Sequence, residues 1–125
     1  MKNTLNAITI TYTGQQVSNN QMKSLHWREL KKVIDPIKLQ MFILVKNAKL
    51  PKIEVMHLLA RYNSRLDCDN VAATVKVFVD SLVKCKVLPN DTKNHWPLLT
   101  IMYDPDLKTN TIVFEVEEVP PIPTI

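Results

Sequence analysis

A single glycine, Gly14, stands in a chain of 125 residues. Glycine is the default residue where the backbone needs a positive φ or must approach a ligand closely. A Walker loop, a dinucleotide-binding loop and a nucleophile elbow each need several glycines near one another. All three are excluded here, and with them the usual nucleotide-cofactor sites.

The chain is 46% hydrophobic and 22% charged. That is ordinary for a soluble globular domain and too apolar for disorder. It supports one core, so residues 1–118 are read as a single domain and the Pro-rich stretch 119–125 as a tail. The longest uncharged apolar run is Met41-Phe42-Ile43-Leu44-Val45, far short of the ~20 residues a membrane span needs. Ile8-Thr9-Ile10-Thr11-Tyr12 alternates where a signal peptide would run apolar. Cys68 and Cys85 form no CxxC and are expected to be reduced. Cytoplasmic residence without membrane association is the resulting expectation.

The net charge of +4 hides a split. Residues 1–65 carry 11 Lys/Arg against 3 Asp/Glu, and residues 66–125 carry 5 against 9. A basic half beside an acidic half suits a polyanion-binding surface next to an acidic site, although chance segregation on a solvated surface would look the same.

Periodicity supplies the elements. Ala7–Thr13 alternates as a half-buried strand. Gln21–Val33 is a short basic helix or partly irregular. Asp35-Pro36 reads as a helix start, Asp capping and Pro at the first position, with the helix running to about Asn47. Ile53–Tyr62 is a central strand, with Met56, Leu58, Ala60 and Tyr62 on one face. From Asn70 to about Lys86, Val71, Val75, Phe78, Val79 and Leu82 recur with helical spacing, and Asp69 is placed to cap them. Leu98–Tyr103 and Thr111–Val116 are two strands, expected to pair as an antiparallel hairpin through 104–110. The expected fold is α+β: a small mixed sheet of about four strands packed with two or three helices.

The stretch with chemical content is Asp67-Cys68-Asp69-Asn70. In an extended segment, residues two apart point the same way, which would aim both carboxylates at one spot. Asp91 follows the same helix and joins them if its connection folds back. Three carboxylates repel, and a divalent cation relieves the repulsion. Magnesium takes hard oxygen ligands and keeps several waters. His26, His57 and His95 show no zinc spacing. Lys76, seven residues beyond Asp69, lies near the same azimuth two turns on, where an ammonium could orient water or offset charge on a phosphate. The bland alternatives are a helix cap for Asp69, surface positions for Asp67 and Asp91, and an exposed ion-pair stripe for Lys76, Asp80 and Lys84.

Asp67-Cys68-Asp69-Asn70, then Lys76, Asp80-Ser81-Leu82 and Asn90-Asp91, resembles the RusA family of Holliday junction resolvases. Asn19 or Asn20 followed by His26-Trp27-Arg28 is similar to the N-terminal segment of its phage-type members. The resemblance spans roughly residues 5–117. The lysine stands three residues further from the second Asp than in the family pattern, and the arginine-rich run before the first Asp is thinned to Arg61 and Arg65.

The resemblance implies a dimeric, Mg²⁺-dependent endodeoxyribonuclease that nicks two strands of a four-way junction. Asp67, Asp69 and Asp91 match its metal ligands, and Lys76 its essential lysine. Lys23, Arg28, Lys31, Lys32, Arg61 and Arg65 are the candidates for phosphate contacts, which position DNA without reading sequence. Two rivals stay open: a non-catalytic DNA-binding protein with a structural acidic cluster, and a Mg²⁺-dependent nuclease preferring flaps or other branched DNA.

Overall fold

The computed structural model describes residues 7–120. The chain forms β1 (Ala7–Thr13), α1 (Asn19–Ser24), α2 (Trp27–Ala48), β2 (Met56–Asn63), α3 (Cys68–Lys84), β3 (Leu98–Tyr103) and β4 (Thr111–Glu118). It is an α+β fold with one mixed four-stranded sheet in the order β1-β4-β2-β3. The end of the Pro-rich tail, 121–125, lies outside the described residues.

Side-chain alternation divides the sheet into two faces. Ile10 and Tyr12 of β1, Met56, Leu58, Ala60 and Tyr62 of β2, and Ile112, Phe114 and Val116 of β4 are buried on one face. Ile34, Ile37, Met41 and Val45 of α2 and Val71, Val75, Phe78 and Leu82 of α3 complete this core. Phe78 stacks on Phe114 with centroids 3.9 Å apart. The other face, with His57, Leu59 and Arg61, is only half-buried.

Two expectations need correction. Leu98–Tyr103 and Thr111–Glu118 are not a hairpin. Among the described residues β3 pairs only with β2, in parallel, while β4 lies between β1 and β2, antiparallel to both. The connecting loop arches over the end of β2: Asp104 N–H donates to Tyr62 O (2.8 Å), Asn110 N–H to Asn63 O (2.7 Å), and Asn63 Nδ2 to Leu107 O (2.6 Å). Central placement buries both faces of much of β4, from Thr111 to Phe114, which a hairpin partner at the edge would leave exposed.

Nor does Asp35-Pro36 begin a helix. α2 runs through it from Trp27. Proline removes one intrahelical bond and usually kinks or breaks a helix. Here Ile34 and Ile37 flank Pro36 and are both buried, so tertiary packing holds the helix on both sides.

With glycine scarce, left-handed backbone positions fall to other residues: Lys49 (φ 50°), Lys86 (φ 61°) and Asn110 (φ 62°). Gly14 itself sits at φ 156°, where an added Cβ would approach the Tyr12 hydroxyl to 3.0 Å. It closes β1 against the 104–110 loop, its N–H donating to Asn110 O (3.0 Å). That contact joins the loops after β1 and β3 at one end of the sheet.

Candidate active site

The carboxyl ends of β2 and β3 point to the same edge, where open α/β sheets usually place their ligands. The loops after β1, β2 and β3 surround a cavity of about 840 Å³ there. Gln15, Gln16, Gln21, Ser64, Arg65 and Asn110 supply its polar lining. Gln16 Oε1 accepts from Ser64 Oγ (3.1 Å), while its buried Nε2 has no partner among the described residues. An unmet buried donor is costly, so this amide is ready for an acceptor. No local sequence pattern singles out Gln16.

Two phenols hold the rim. Tyr12 Oη donates to Gln15 O, and Tyr62 Oη donates to Leu66 O (2.8 Å) and lies 3.6 Å from Cys68 Sγ. Burial raises the pKa of both and so disfavours ionisation, and for Tyr62 the neighbouring Cys68 and Asp67 raise it further. Cys68, where helix α3 starts, is exposed.

That early start also changes the acidic motif. Asp67, not Asp69, is the N-cap, and Asp69 lies in the first turn. The extended-chain argument that aligned the two carboxylates therefore does not hold, because successive helical residues are rotated by ~100°. Asp67 is extended (φ −77°, ψ 160°) but makes no side-chain cap bond. Its carbonyl accepts from Asn70 N–H (2.9 Å) and Val71 N–H (3.2 Å). Both carboxylates are exposed and have no side-chain partner among the described residues. The positive end of the helix dipole favours both.

α1 is fastened to this turn. Ser18 and Gln21 form a reciprocal capping box at its start. Asn19 Nδ2 donates to Asp69 O (2.7 Å), and Asn20 N–H to Asn70 Oδ1 (3.3 Å). Beneath, Val17 N–H donates to Thr74 Oγ1 (2.9 Å), which donates back to Val17 O (2.8 Å). Further along α3, Lys76 Nζ donates to Asp80 Oδ1 (2.8 Å) and to Asp91 Oδ2. The connection after α3 thus folds back far enough for Asp91 to reach α3. A cleft of about 380 Å³ joins these parts, with Asn19, Lys23, Lys38, Lys76 and Asp80 in its lining.

Magnesium fits this donor set in part. Among the described residues, no three His, Cys, Asp or Glu side chains are gathered closely enough to hold one ion. Asp91 is engaged by Lys76 instead of joining Asp67 and Asp69. The free carboxylates of Asp67 and Asp69 are hard oxygen donors, and magnesium is commonly held by one or two carboxylates with waters and substrate phosphates.

The six basic candidates separate by position. Arg65 lines the large cavity, Lys23 the smaller cleft, and Arg28, Lys31 and Lys32 a shallow depression at the start of α2. Arg61 is on the open sheet face, where Nε donates to Glu115 (2.6 Å) and NH1 to Asp104 (2.8 Å). Those carboxylates occupy its guanidinium, so it is not available as a phosphate contact in this arrangement.

No family model matches the sequence, and no curated protein matches it. Among the described residues, no helix is long and apolar enough to cross a membrane.

Proposed function

We propose that this chain is a magnesium-dependent endonuclease of branched DNA, acting as a dimer on four-way junctions. One observation carries the reading: residues from separate parts of the motif are bonded around α3. Asn19 and Asn20, from the N-terminal part, hold the Asp69-Asn70 turn. These bonds join parts of the motif that lie 50 residues apart in sequence.

Asp67 and Asp69 would hold the ion, with Asp91 joining when its pair with Lys76 opens. Bound there, the ion would supply a water of lowered pKa and polarise a phosphate oxygen. Arg65 and the free Gln16 amide would receive phosphate oxygens in the cavity. Lys23 would do so in the smaller cleft. Lys76, released from Asp91, would place an ammonium where charge develops on the phosphate. A two-fold junction cut at two symmetric points calls for two copies related by a two-fold axis.

The engagement of Asp91 by Lys76 favours a second reading, a DNA-binding protein whose acidic residues are structural. A synthetic four-way junction incubated with Mg²⁺ or with chelator separates the two. Paired symmetric nicks that need the metal are expected. Asp69→Asn should bind the junction with affinity near that of the unmodified protein and lose cleavage. Binding without nicks in any divalent metal would establish the second reading, and equal cutting of flaps would broaden the substrate class. An active Asp69→Asn protein would remove the ligand assignment.

A further inference from the structure

Trp27 opens α2 with its side chain in solvent; the residue is 62% exposed. The indole therefore presents an apolar face that a partner can cover. Its setting is organised rather than loose. His26 caps the helix, Nδ1 accepting from Arg28 N–H (3.3 Å). The His26 ring lies 5.9 Å from the Trp27 ring, tilted by 33°. The Arg28 guanidinium lies 5.4 Å from the Trp27 ring centroid. Arg28, Lys31 and Lys32 line one shallow depression with the indole, together with Asp35 and Pro36. The acidic partners of the two lysines, Asp35 at 4.0 Å and Glu29 at 3.5 Å, make exposed pairs. Such pairs contribute little and exchange readily for another anion.

An aromatic face with a guanidinium over it and two lysines beside it differs from an ordinary protein-docking patch, whose centre is depleted of charge. It matches the way single-stranded nucleic acid is held: bases stack on aromatic rings while basic side chains follow the backbone. Arg28 extends the platform, because a guanidinium is attracted to the ring face. α1 separates this corner from the Asp69-Asn70 turn by one short helix and fastens the two together.

We propose that the His26-Trp27-Arg28 corner is a stacking platform for an unpaired DNA base, with Arg28, Lys31 and Lys32 holding the adjacent phosphates. The proposal rests on the DNA-binding part of the reading above and adds the feature recognised: bases unpaired near a branch point, rather than duplex alone. It requires neither metal nor cleavage.

The test uses the full chain in chelator. Trp96→Phe leaves Trp27 as the one tryptophan. An oligothymidylate of about twelve nucleotides should quench its emission, whereas heparin, a polyanion without bases, should not. In anisotropy titrations of labelled DNA, Trp27→Ala should weaken single-strand binding roughly fivefold or more and change duplex binding by less than about twofold. Trp27→Phe, which keeps an aromatic face, should retain most of the affinity. Unchanged urea midpoints would show that both variants are folded. Single-strand binding without quenching, or with Trp27→Ala unaffected, overturns the platform. Failure of both single strand and duplex to bind overturns the DNA reading as well. Quenching in a protein that never nicks a junction supports the platform and removes only the nuclease.

Discussion

Arg61 and Arg65 are four residues apart, yet they do different work. Arg61 clamps Glu115 and Asp104, and those hydrogen bonds, Glu115 first, hold its guanidinium even more firmly protonated than usual. Arg65 lies in an exposed turn on the cavity rim. Each phosphate neutralised contributes about −0.9 to the slope of log K against log salt. Arg65→Met should therefore make that slope less negative by about 0.9, and Arg61→Met should leave it unchanged. Arg61→Met should instead lower the urea midpoint, because two half-buried carboxylates lose their partner. Salt titrations of DNA binding and urea denaturation of the same two proteins measure both effects; a reversed pattern would mean that Arg61 faces DNA. The sequence could not distinguish these arginines. Alternation assigns Arg61 to a sheet face, but its partners are 54 and 43 residues away, and no local period reveals them.

The start of α3 raises the same question for a whole element. The apolar spacing from Val71 to Leu82 marks the helix plainly, since its buried stripe follows the period of 3.6. Its first turn is less legible because Asp67 and Asp69 are both good capping residues. Asp67 occupies the cap position without making the cap bond, so its carboxylate is not needed to hold the helix. Asp67→Ala should cost less than about 0.5 kcal/mol, below the ~1 kcal/mol lost with a working cap. The comparison is Ser18→Ala, which breaks the capping box of α1 and should cost about 1–2 kcal/mol. Urea midpoints would rank the two. If Asp67→Ala were as destabilising as Ser18→Ala, the motif's first carboxylate would be structural; a stable but non-nicking Asp67→Ala protein would separate function from folding. Proline at 36 misleads for a different reason. Its local preference for a first helical position is real, but packing of Ile34, Ile37 and Met41 overrides it.

Across the whole molecule, fold class was readable and strand order was not. Each strand's apolar alternation is local, whereas the insertion of β4 between β1 and β2 depends on pairings such as Ile10 with Phe114 and Ala60 with Phe114. That insertion brings the loops after β1 and β2 to one cavity, and a buried tyrosine anchors each: Tyr12 to Gln15 O and Tyr62 to Leu66 O. A phenolate would lose the proton it donates and face a carbonyl oxygen. Burial, first, and for Tyr62 the Cys68 contact hold both phenols protonated beyond their usual pKa of 10.0. The direction of the stability effect follows from proton binding. Below about pH 10 both folded and unfolded chains keep these protons, and the tyrosines contribute no pH dependence. Above it the unfolded chain releases them while the folded chain does not, so stability falls with rising pH until the folded pKa values are passed. Urea midpoints should decline from about pH 10 upward, and Tyr62→Phe should make that decline shallower while lowering stability at neutral pH by about 1 kcal/mol, the worth of one hydrogen bond. Ultraviolet titration of the folded protein should show Tyr12 and Tyr62 ionising only above the usual phenolic range. An alkaline decline of equal steepness in Tyr62→Phe would place its origin elsewhere, and the Tyr62 anchor at the mouth of the cavity would then have no role in the molecule's pH response.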